Sequence, residues 1–473
     1  MKINERSEYN FPYSDVRRSD DLQNRFTHLK SIMKSTFKKI IAYILKTEAR
    51  LVVWKYKPKI VAITGSVGKT STKDAVYAVF SKLAYVRKSE KSFNSEIGLP
   101  LTILGCPNGW SNPFAWFVNI MKGLWLFIWP HKYPKWLVLE VGIGKPNDMQ
   151  DVATWLKTDA VIMTAIGETP VHIEFFNSRK HLVEEKSLLI KTLKKEGVLI
   201  LNADDQTVLD MKTNTKNVTV TYGFKESADI FGSGDSIFYG ASGLPAQAGL
   251  PEGVIFRVDT EGASLPVVIE GVFGRNHVYA SLAALALAFS LKLNMLDAVH
   301  ALLNYDVPPG RMRLLNGINE ILIIDDTYNS SPFACEFALK TLGEVKNAGR
   351  KIAVLGDMLE LGKHTNEAHK NIGKIARENL SDNCDVLMVV GPRAQAIKEG
   401  AIEAGMSEEK IQEFSDSREA GNFIKTFVQK NDLILIKGSQ GMRMERVVAA
   451  ILLDQKNKEK LLVRQDAEWL RKK

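Results

Sequence analysis

Apolar residues fall into two periods along the 473-residue chain. Short unbroken runs at Lys59–Thr64 (KIVAIT), Trp136–Val141 (WLVLEV), Ala160–Thr164 (AVIMT) and Val198–Leu201 (VLIL) read as buried strands. Helical patterns lie between them, notably Asp74–Leu83 and Lys180–Lys195. Strands alternating with helices predict an α/β fold built on a mostly parallel sheet. From Asn217 to Val272, glycines and short β-type runs predict an antiparallel patch, followed by an Ala/Leu-rich helix over Val278–Leu291. After Pro308-Pro309-Gly310, further apolar runs predict a second, Rossmann-like α/β unit: Glu320–Asp325, Lys351–Leu355, Val386–Val390 and Leu433–Ile436. The expected organisation is a basic, largely helical segment (1–57), a central unit (58–307) and a C-terminal α/β unit (308–473).

Charge changes the picture only at the N-terminus. Residues 1–57 hold thirteen Lys/Arg against six Asp/Glu, which is seven of the chain's net +9. The α/β units are near balance, which argues against a nucleic-acid binder. Three widely spaced cysteines, Cys106, Cys335 and Cys384, form no CxxC pair and predict reduced thiols rather than a zinc site or a disulfide framework. No secretory signal is visible in the polar first twenty residues. The most apolar stretch, Pro113–Pro130, is broken by Asn119 and Lys122 and falls short of the ~20 residues that span a bilayer. Two readings stay open for it: a helix buried on a sheet, or a Trp-rich interfacial helix. The basic, partly apolar segment Leu29–Tyr56 either lies on an anionic membrane in the same way or docks on the protein's own core.

The clearest chemistry is at Gly65-Ser66-Val67-Gly68-Lys69-Thr70-Ser71, between a predicted strand and a predicted helix. Glycines let backbone amides turn toward phosphate oxygens, and the helix N-terminus adds a favourable dipole. Lys69 is placed to reach the β- and γ-phosphates of ATP, and the Thr70 hydroxyl to ligate Mg²⁺. The long form of the motif wants a glycine where this chain has Ile63, but the GxxGKT[ST] core is intact. Glu140 ends a strand, where it can face the same hard cation, which prefers oxygen ligands and phosphate partners.

Further motifs follow in order: FNSEIGLPLTIL (93–104), LEVGIGKPNDM (139–149), TAIGETPVHIEFFNS (164–178), EEKSLLI (184–190) and LNADD (201–205), then PPGRMR (308–313), DDTYNSSP (325–332), LGDMLELG (355–362) and KGSQGMRME (437–445). With the phosphate loop, they resemble the Mur ligases, the ATP-dependent amide-forming enzymes of peptidoglycan precursor synthesis, over roughly residues 58–455. LGDMLELG with DDTYNSSP resembles the branch that adds D-Ala-D-Ala to a UDP-muramoyl tripeptide. The resemblance implies a cytoplasmic enzyme, a monomer, using ATP and two Mg²⁺ ions on small-molecule substrates. It implies that His172 ligates a second Mg²⁺, and that Lys186 occupies the place of the family's carbamylated lysine, an anionic group that helps hold the metal site. It further implies that Asn94, Ser95, Tyr328 and Asn329 lie at the substrate, that Arg311 meets phosphate and Asp326 the ribose, and that Lys437 and Ser439 face the cleft. The implied route is attack of a substrate carboxylate on the γ-phosphorus, then of an amine on the acyl phosphate, in a cleft that closes between two domains.

Two departures stand out. The family's adenine-side pattern is G-x-H-N, whereas this chain reads Gly274-Arg275-Asn276-His277, so Asn276 and His277 are both candidates for that contact. The family's UDP-sugar-binding domain of ~80 or more residues is expected to be reduced or replaced, since only 57 residues precede Pro58. Two alternatives therefore remain at this point: a Mur-type ligase with a different carboxylate or amine substrate, or a membrane-associated nucleotide-binding scaffold touching the bilayer through residues 29–56 and 113–130.

Overall fold

Nine strands form the first sheet: β1 (Lys59–Thr64), β2 (Val86–Lys88), β3 (Trp136–Glu140), β4 (Thr158–Met163), β5 (Leu193–Asn202), β6 (Val218–Gly223), β7 (Ile230–Tyr239), β8 (Pro251–Thr260) and β9 (Ala263–Glu270). Their spatial order is β2-β3-β1-β4-β5-β6-β7-β8-β9. Pairing is parallel from β2 through β7 and antiparallel for β7–β8 and β8–β9. This computed structural model describes residues 36–90, 96–110, 112–168, 173–240, 250–260, 262–346, 349–380 and 385–471.

β1 reads as an unbroken apolar run because both its faces are covered. Val61 and Ile63 pack with Val76, Val79 and Phe80 of the helix Lys69–Ser81 and with the helix Arg275–Ser290. Ile60 and Ala62 pack on the opposite face against Leu99, Leu101 and Ile103 and against Leu45, Ala49 and Val52 of an N-terminal helix. Here α1 spans 36–56, α2 is Lys69–Ser81, α3 Gly98–Leu104, α4 Pro113–Ile128, α5 Asp148–Trp155 and α6 Arg179–Ser187.

The second sheet holds β10 (Arg313–Asn316), β11 (Leu322–Asp326), β12 (Lys351–Gly356), β13 (Val386–Val390), β14 (Ile411–Phe414) and β15 (Leu433–Lys437), in the order β10-β11-β15-β12-β13-β14. Only β10–β11 is antiparallel. A short seam joins the two sheets. Val272 bridges Arg313 in antiparallel fashion, Phe273 N donates to Met312 O at 3.0 Å, and Leu314 N donates to Gly271 O at 2.9 Å.

Two expectations change. The helix placed over Lys180–Lys195 ends at Ser187, a 3-10 turn covers Leu188–Thr192, and β5 starts at Leu193, where it pairs with Thr158. The antiparallel patch begins at β7 rather than at Asn217, because β6 runs parallel to β5 through Val198–Asn202. Alternating residues such as VTVTY fit either kind of pairing, so the pattern alone does not decide direction.

Both apolar stretches form helices, α1 and α4. α1 docks on the protein's own core through Ile41, Leu45, Ala49 and Val52. α4 is not a buried helix: it buries Trp116, Asn119 and Gly123 and leaves Phe114, Phe117, Val118, Met121, Leu124, Trp125 and Ile128 exposed. No helix among the described residues is long and apolar enough to cross a membrane. α1 and α4 run side by side in the same direction. At their C-terminal ends, Lys55 Nζ donates to the carbonyls of Leu126, Phe127 and Trp129, and Tyr56 Oη donates to those of Leu126 and Trp129. A cation on helix-terminal carbonyls is favourable both as a cap and against the dipole.

Midway, the Glu48 side chain lies over Gly123 so closely that a Cβ there would fall 2.1 Å from Glu48 Oε2. Both Glu48 carboxylate oxygens are buried without a hydrogen-bond partner. Burial pushes the Glu48 carboxyl up to about 7 from its ordinary value of 4.5. The fold thus holds this proton more tightly than the unfolded chain, and stability is lost as pH rises from about 4.5 through about 7. Glu48→Gln removes the ionisation. Its stability relative to the parent should grow by about 1–2 kcal/mol between about pH 5 and pH 8. Urea unfolding of both proteins across that range measures the difference, and a difference independent of pH would count against the unpaired carboxyl.

Candidate active site

β1 delivers the chain into the loop Gly65–Gly68, and α2 leaves it. Gly65 has φ +147°, and a Cβ there would fall 1.9 Å from Thr164 Oγ1, so only glycine passes β4's end at this distance. Gly68 takes φ +87° as the N-cap of α2. The loop is pinned to the segment after β4: Ser66 N and Val67 N donate to Ala165 O at 2.7 and 3.1 Å.

Lys69 Nζ folds over its own loop, donating to Gly65 O at 3.0 Å and Ser66 O at 3.3 Å. Lys186, at the end of α6, donates to the same Gly65 O at 3.0 Å. Burial lowers the Lys69 ammonium, partly offset by Glu140 and reinforced by Arg311. Burial lowers Lys186 much further, and the Lys69 charge adds to the effect. Lys186 is therefore disposed to be a neutral amine.

Thr70, in the first turn of α2, donates its hydroxyl to Glu140 Oε2 at 3.0 Å. Glu140 closes β3 and is buried, with Lys73 Nζ 3.9 Å from the same oxygen. The pair presents a hydroxyl and a carboxylate oxygen, the hard donors that suit Mg²⁺. No group of three or more His, Cys, Asp or Glu side chains placed to hold a metal ion occurs among the described residues. Thr70 and Glu140 are the two residues here that would hold such an ion, with phosphate oxygens and waters completing its sphere.

The second unit closes over this point. Arg311, just before β10, donates from Nη2 to Thr70 Oγ1 at 3.3 Å and stacks on Tyr328 at 4.0 Å. Its Nε is buried without a partner, as is Ser66 Oγ in the loop. Two buried polar groups left unpaired beside one cation are suited to an anion that satisfies both. Asp326, at the end of β11, accepts from Lys437 Nζ at 2.6 Å and from Met312 N at 3.3 Å. Lys437 also donates to Asn329 O at 3.0 Å, and Asn329 Oδ1 accepts from Gln440 N. Ser439 Oγ accepts from Leu359 N at 2.8 Å and donates to Ser330 O at 3.4 Å.

His277 lies one layer back. Its ring nitrogens engage Tyr305 Oη at 2.9 Å and Arg311 O at 2.7 Å, and burial pushes it down to about 4. The neutral ring ties the helix Arg275–Ser290 to the linker carrying Arg311. Both His277 and its neighbour Asn276 line the central cavity, and Asn276 alone of the two also lines the larger space beside it.

Ser66, Val67, Gly68, Ser71, Asn276, Arg311, Asp326, Asn329 and Lys437 surround one central cavity. Two larger spaces flank it. One, of about 840 Å³, shares Val67, Gly68 and Asn276 and is lined by Asp204, Tyr279, Phe333 and Phe337. The other, of about 1180 Å³, shares Arg311, is also lined by Thr70 and Tyr328, and extends to Phe37, Ile41, Trp110 and Trp116.

The structure thus brings Gly65–Ser71, Glu140, Lys186, Asn276, Arg311, Asp326, Tyr328, Asn329 and Lys437 to one region. Asn94, Ser95 and His172 lie outside the described residues. Sequence reasoning gave no role to Arg179, Asp204, Asp205 or Tyr279, all on the 840 Å³ cavity. Asp205 Oδ2 accepts from Ile166 N at 2.8 Å, Arg179 Nε donates to Gly167 O at 2.9 Å, and Tyr279 Oη donates to Asp204 at 2.9 Å. The LNADD run was the available signal for the two aspartates.

Known proteins share this arrangement. The family model described as the Mur ligase middle domain matches residues 63–288, and the one described as the Mur ligase, glutamate ligase domain matches 310–440. The UDP-N-acetylmuramoyl-tripeptide–D-alanyl-D-alanine ligase of Bacillus subtilis is 27% identical over 397 residues, covering 83% of this chain and 76% of that protein. The Escherichia coli protein of the same name is 25% identical over 396 residues, covering 83% and 76%. The crystal structure of MurF ligase from Thermotoga maritima in complex with ADP superposes with a TM-score of 0.69 at 25% identity, covering 89% of this chain and 84% of that one. A folylpolyglutamate synthase from Mycobacterium tuberculosis shares the fold, with a TM-score of 0.59 at 13% identity. The two family matches meet at the seam where Arg311 is carried onto Thr70, and by both measures the chain belongs to the Mur ligase family, whose members are ATP-dependent, ADP-forming amide ligases.

Proposed function

We propose that this chain joins D-Ala-D-Ala to the peptide carboxylate of a UDP-muramoyl tripeptide at the expense of ATP, as the relatives' names describe for them. The observation that carries the reading is that Arg311, from the second unit, reaches Thr70, which in turn bonds Glu140, beside a phosphate loop whose Ser66–Gly68 line the same cavity as Arg311. The chain is read as a central ATP-binding unit over 58–307 with α1 packed on it, and a C-terminal unit over 308–473. It acts as a monomer in the cytoplasm, at the inner face of the membrane through residues 29–56 and 113–130.

The nucleoside enters the 840 Å³ cavity beside Asn276, Tyr279 and Phe333. Its phosphates lie over Gly65–Ser71, with Lys69 turning from its loop carbonyls to the β- and γ-phosphates. Thr70 and Glu140 would hold Mg²⁺, and His172 a second ion. Bound there, the metal offsets the charge of the transferring phosphoryl group. Arg311 supplies its unpaired Nε to the same group, and Asp326 faces the ribose.

The carboxylate substrate enters from the 1180 Å³ cleft past Tyr328 and meets Asn329 and Lys437 at the central cavity, with Ser439 holding the loop behind them; Asn94 and Ser95 are assigned to the same substrate. A carboxylate oxygen attacks the γ-phosphorus as the bond to ADP breaks, giving an acyl phosphate. The D-Ala-D-Ala amine then attacks the acyl carbon. The carbon–oxygen bond to phosphate breaks, and the amine proton passes to a base or solvent. Closure of the two units about the seam at 271–273 and 312–314 keeps water from the acyl phosphate.

Lys186 carries a carbamate in this reading. Carbon dioxide reacts only with a neutral amine, the state that burial favours at this side chain. The carbamate would reverse the local sign, pairing with Lys69 and facing the metal.

Phosphate release with mass detection tests the function. Purified protein with Mg²⁺, ATP, UDP-muramoyl tripeptide and D-Ala-D-Ala should yield a pentapeptide product; ATP binding without any product would overturn the substrate assignment. Lys69→Ala should lower turnover by about a thousandfold. It should leave the melting temperature unchanged or raised, since it removes a buried cation. With ¹³C-labelled bicarbonate, the parent protein should show a carbamate carbon resonance that Lys186→Arg lacks. Its turnover should also fall in buffer stripped of carbon dioxide; equal rates with and without carbon dioxide would exclude the carbamate.

A further inference from the structure

The outer face of the α1–α4 pair carries a run of exposed large apolar side chains without a role in the reaction. Tyr43, Trp54, Phe114, Phe117, Trp125 and Ile128 are each more than half exposed. On α4 the exposed apolar positions recur at 114, 117, 118, 121, 125 and 128, which is one continuous helical stripe. A contiguous patch of this kind marks an interaction site rather than ordinary surface.

What covers the face is indicated by charge. Lys39, Arg50 and Lys122 are exposed along the two helices, and no acidic residue occurs between Glu96 and Glu140. The one acid within α1, Glu48, is buried beneath the pair. A second copy bound through the same face would set these cations against one another, because a two-fold interface opposes like patches. An anionic lipid surface complements them, and tryptophan and tyrosine side chains favour the depth of the headgroups.

The ridge is also continuous with the cleft. Because the helices run parallel, their N-terminal ends lie together, and Phe37, Ile41, Pro113 and Trp116 line the 1180 Å³ space that reaches Thr70 and Arg311. We propose that the α1–α4 pair lies in the plane of an anionic bilayer with its aromatic ridge among the acyl chains, so that the wide cleft opens beside the lipid. This deepens the membrane placement given under the proposed function and is independent of the ligase chemistry.

Flotation of the full chain with phosphatidylglycerol-containing vesicles and with pure phosphatidylcholine vesicles tests it. Binding to the anionic vesicles should be at least about tenfold stronger and should weaken in high salt. The triple variant Trp54→Ser/Phe117→Ser/Trp125→Ser, altered only at exposed positions, should lose binding by about tenfold or more. Lys39→Glu/Arg50→Glu should lose the preference for anionic lipid while keeping the ridge. Ligation of soluble substrates, read on the same preparations, should be unchanged by either variant; its absence from the parent protein would count against the ligase reading and leave the bilayer seat standing. Equal binding to both vesicle types, flotation that survives the triple variant, or a dimer in light scattering that the triple variant dissolves would each overturn the proposal.

Discussion

The site depends on a few hydrogen bonds between residues 271–273 and 312–314. This antiparallel bridge continues the first unit into the edge strand of the second sheet, and it fixes where the linker can run. His277 reinforces it from one side by holding the Arg311 carbonyl, and Asp326 from the other by accepting from Met312 N. The Arg311 side chain is left one direction, across the gap and onto Thr70. A hinge placed there lets the units open while preserving the register that brings the arginine back. A buried neutral imidazole suits this position better than a flexible polar chain, because both of its nitrogens are committed and its ring packs with Tyr305.

The phosphate loop is constrained from three sides. Thr164 crowds Gly65, Ala165 O takes two loop amides, and two lysines converge on Gly65 O. Such a loop pays its ordering entropy on folding, before any ligand arrives, and this is what preorganised electrostatic sites require. The sheet supplies the rigidity: β3, β1 and β4 carry Glu140, the loop and Thr164 at adjacent C-terminal ends, the edge at which open α/β sheets present ligands.

Much of this was legible in the sequence. Strand runs buried on both faces, such as KIVAIT and LILIK, are unambiguous because burial makes them continuous, and the loop between β1 and α2 has no rival interpretation. The residues Arg311, Asp326 and Lys437 were legible only through their motifs, since nothing local says that an arginine after Pro-Pro-Gly will cross to another unit. Strand direction at β6 was not legible, because alternation is common to parallel and antiparallel edges. The boundary of α6 was missed because the lysines of β5 carry a helical rhythm into an exposed strand start. The difference between Asn276 and His277 needed three dimensions: both ring nitrogens of His277 are taken by Tyr305 and Arg311, whereas Asn276 reaches the 840 Å³ cavity, and adjacent positions on a helix diverge by about 100°.

Two lysines sharing one carbonyl have a consequence for ligand binding. Burial lowers the Lys69 ammonium, with Glu140 opposing and Arg311 adding to the shift, whereas a phosphate anion beside it favours the protonated form. Nucleotide binding should therefore draw a proton from solution. By linkage, affinity for the nucleotide falls as pH rises through the lowered pKa of the unliganded site. The loop that recognises phosphate is in this sense also a proton acceptor, and the alkalinity of its surroundings sets how firmly it holds its nucleotide.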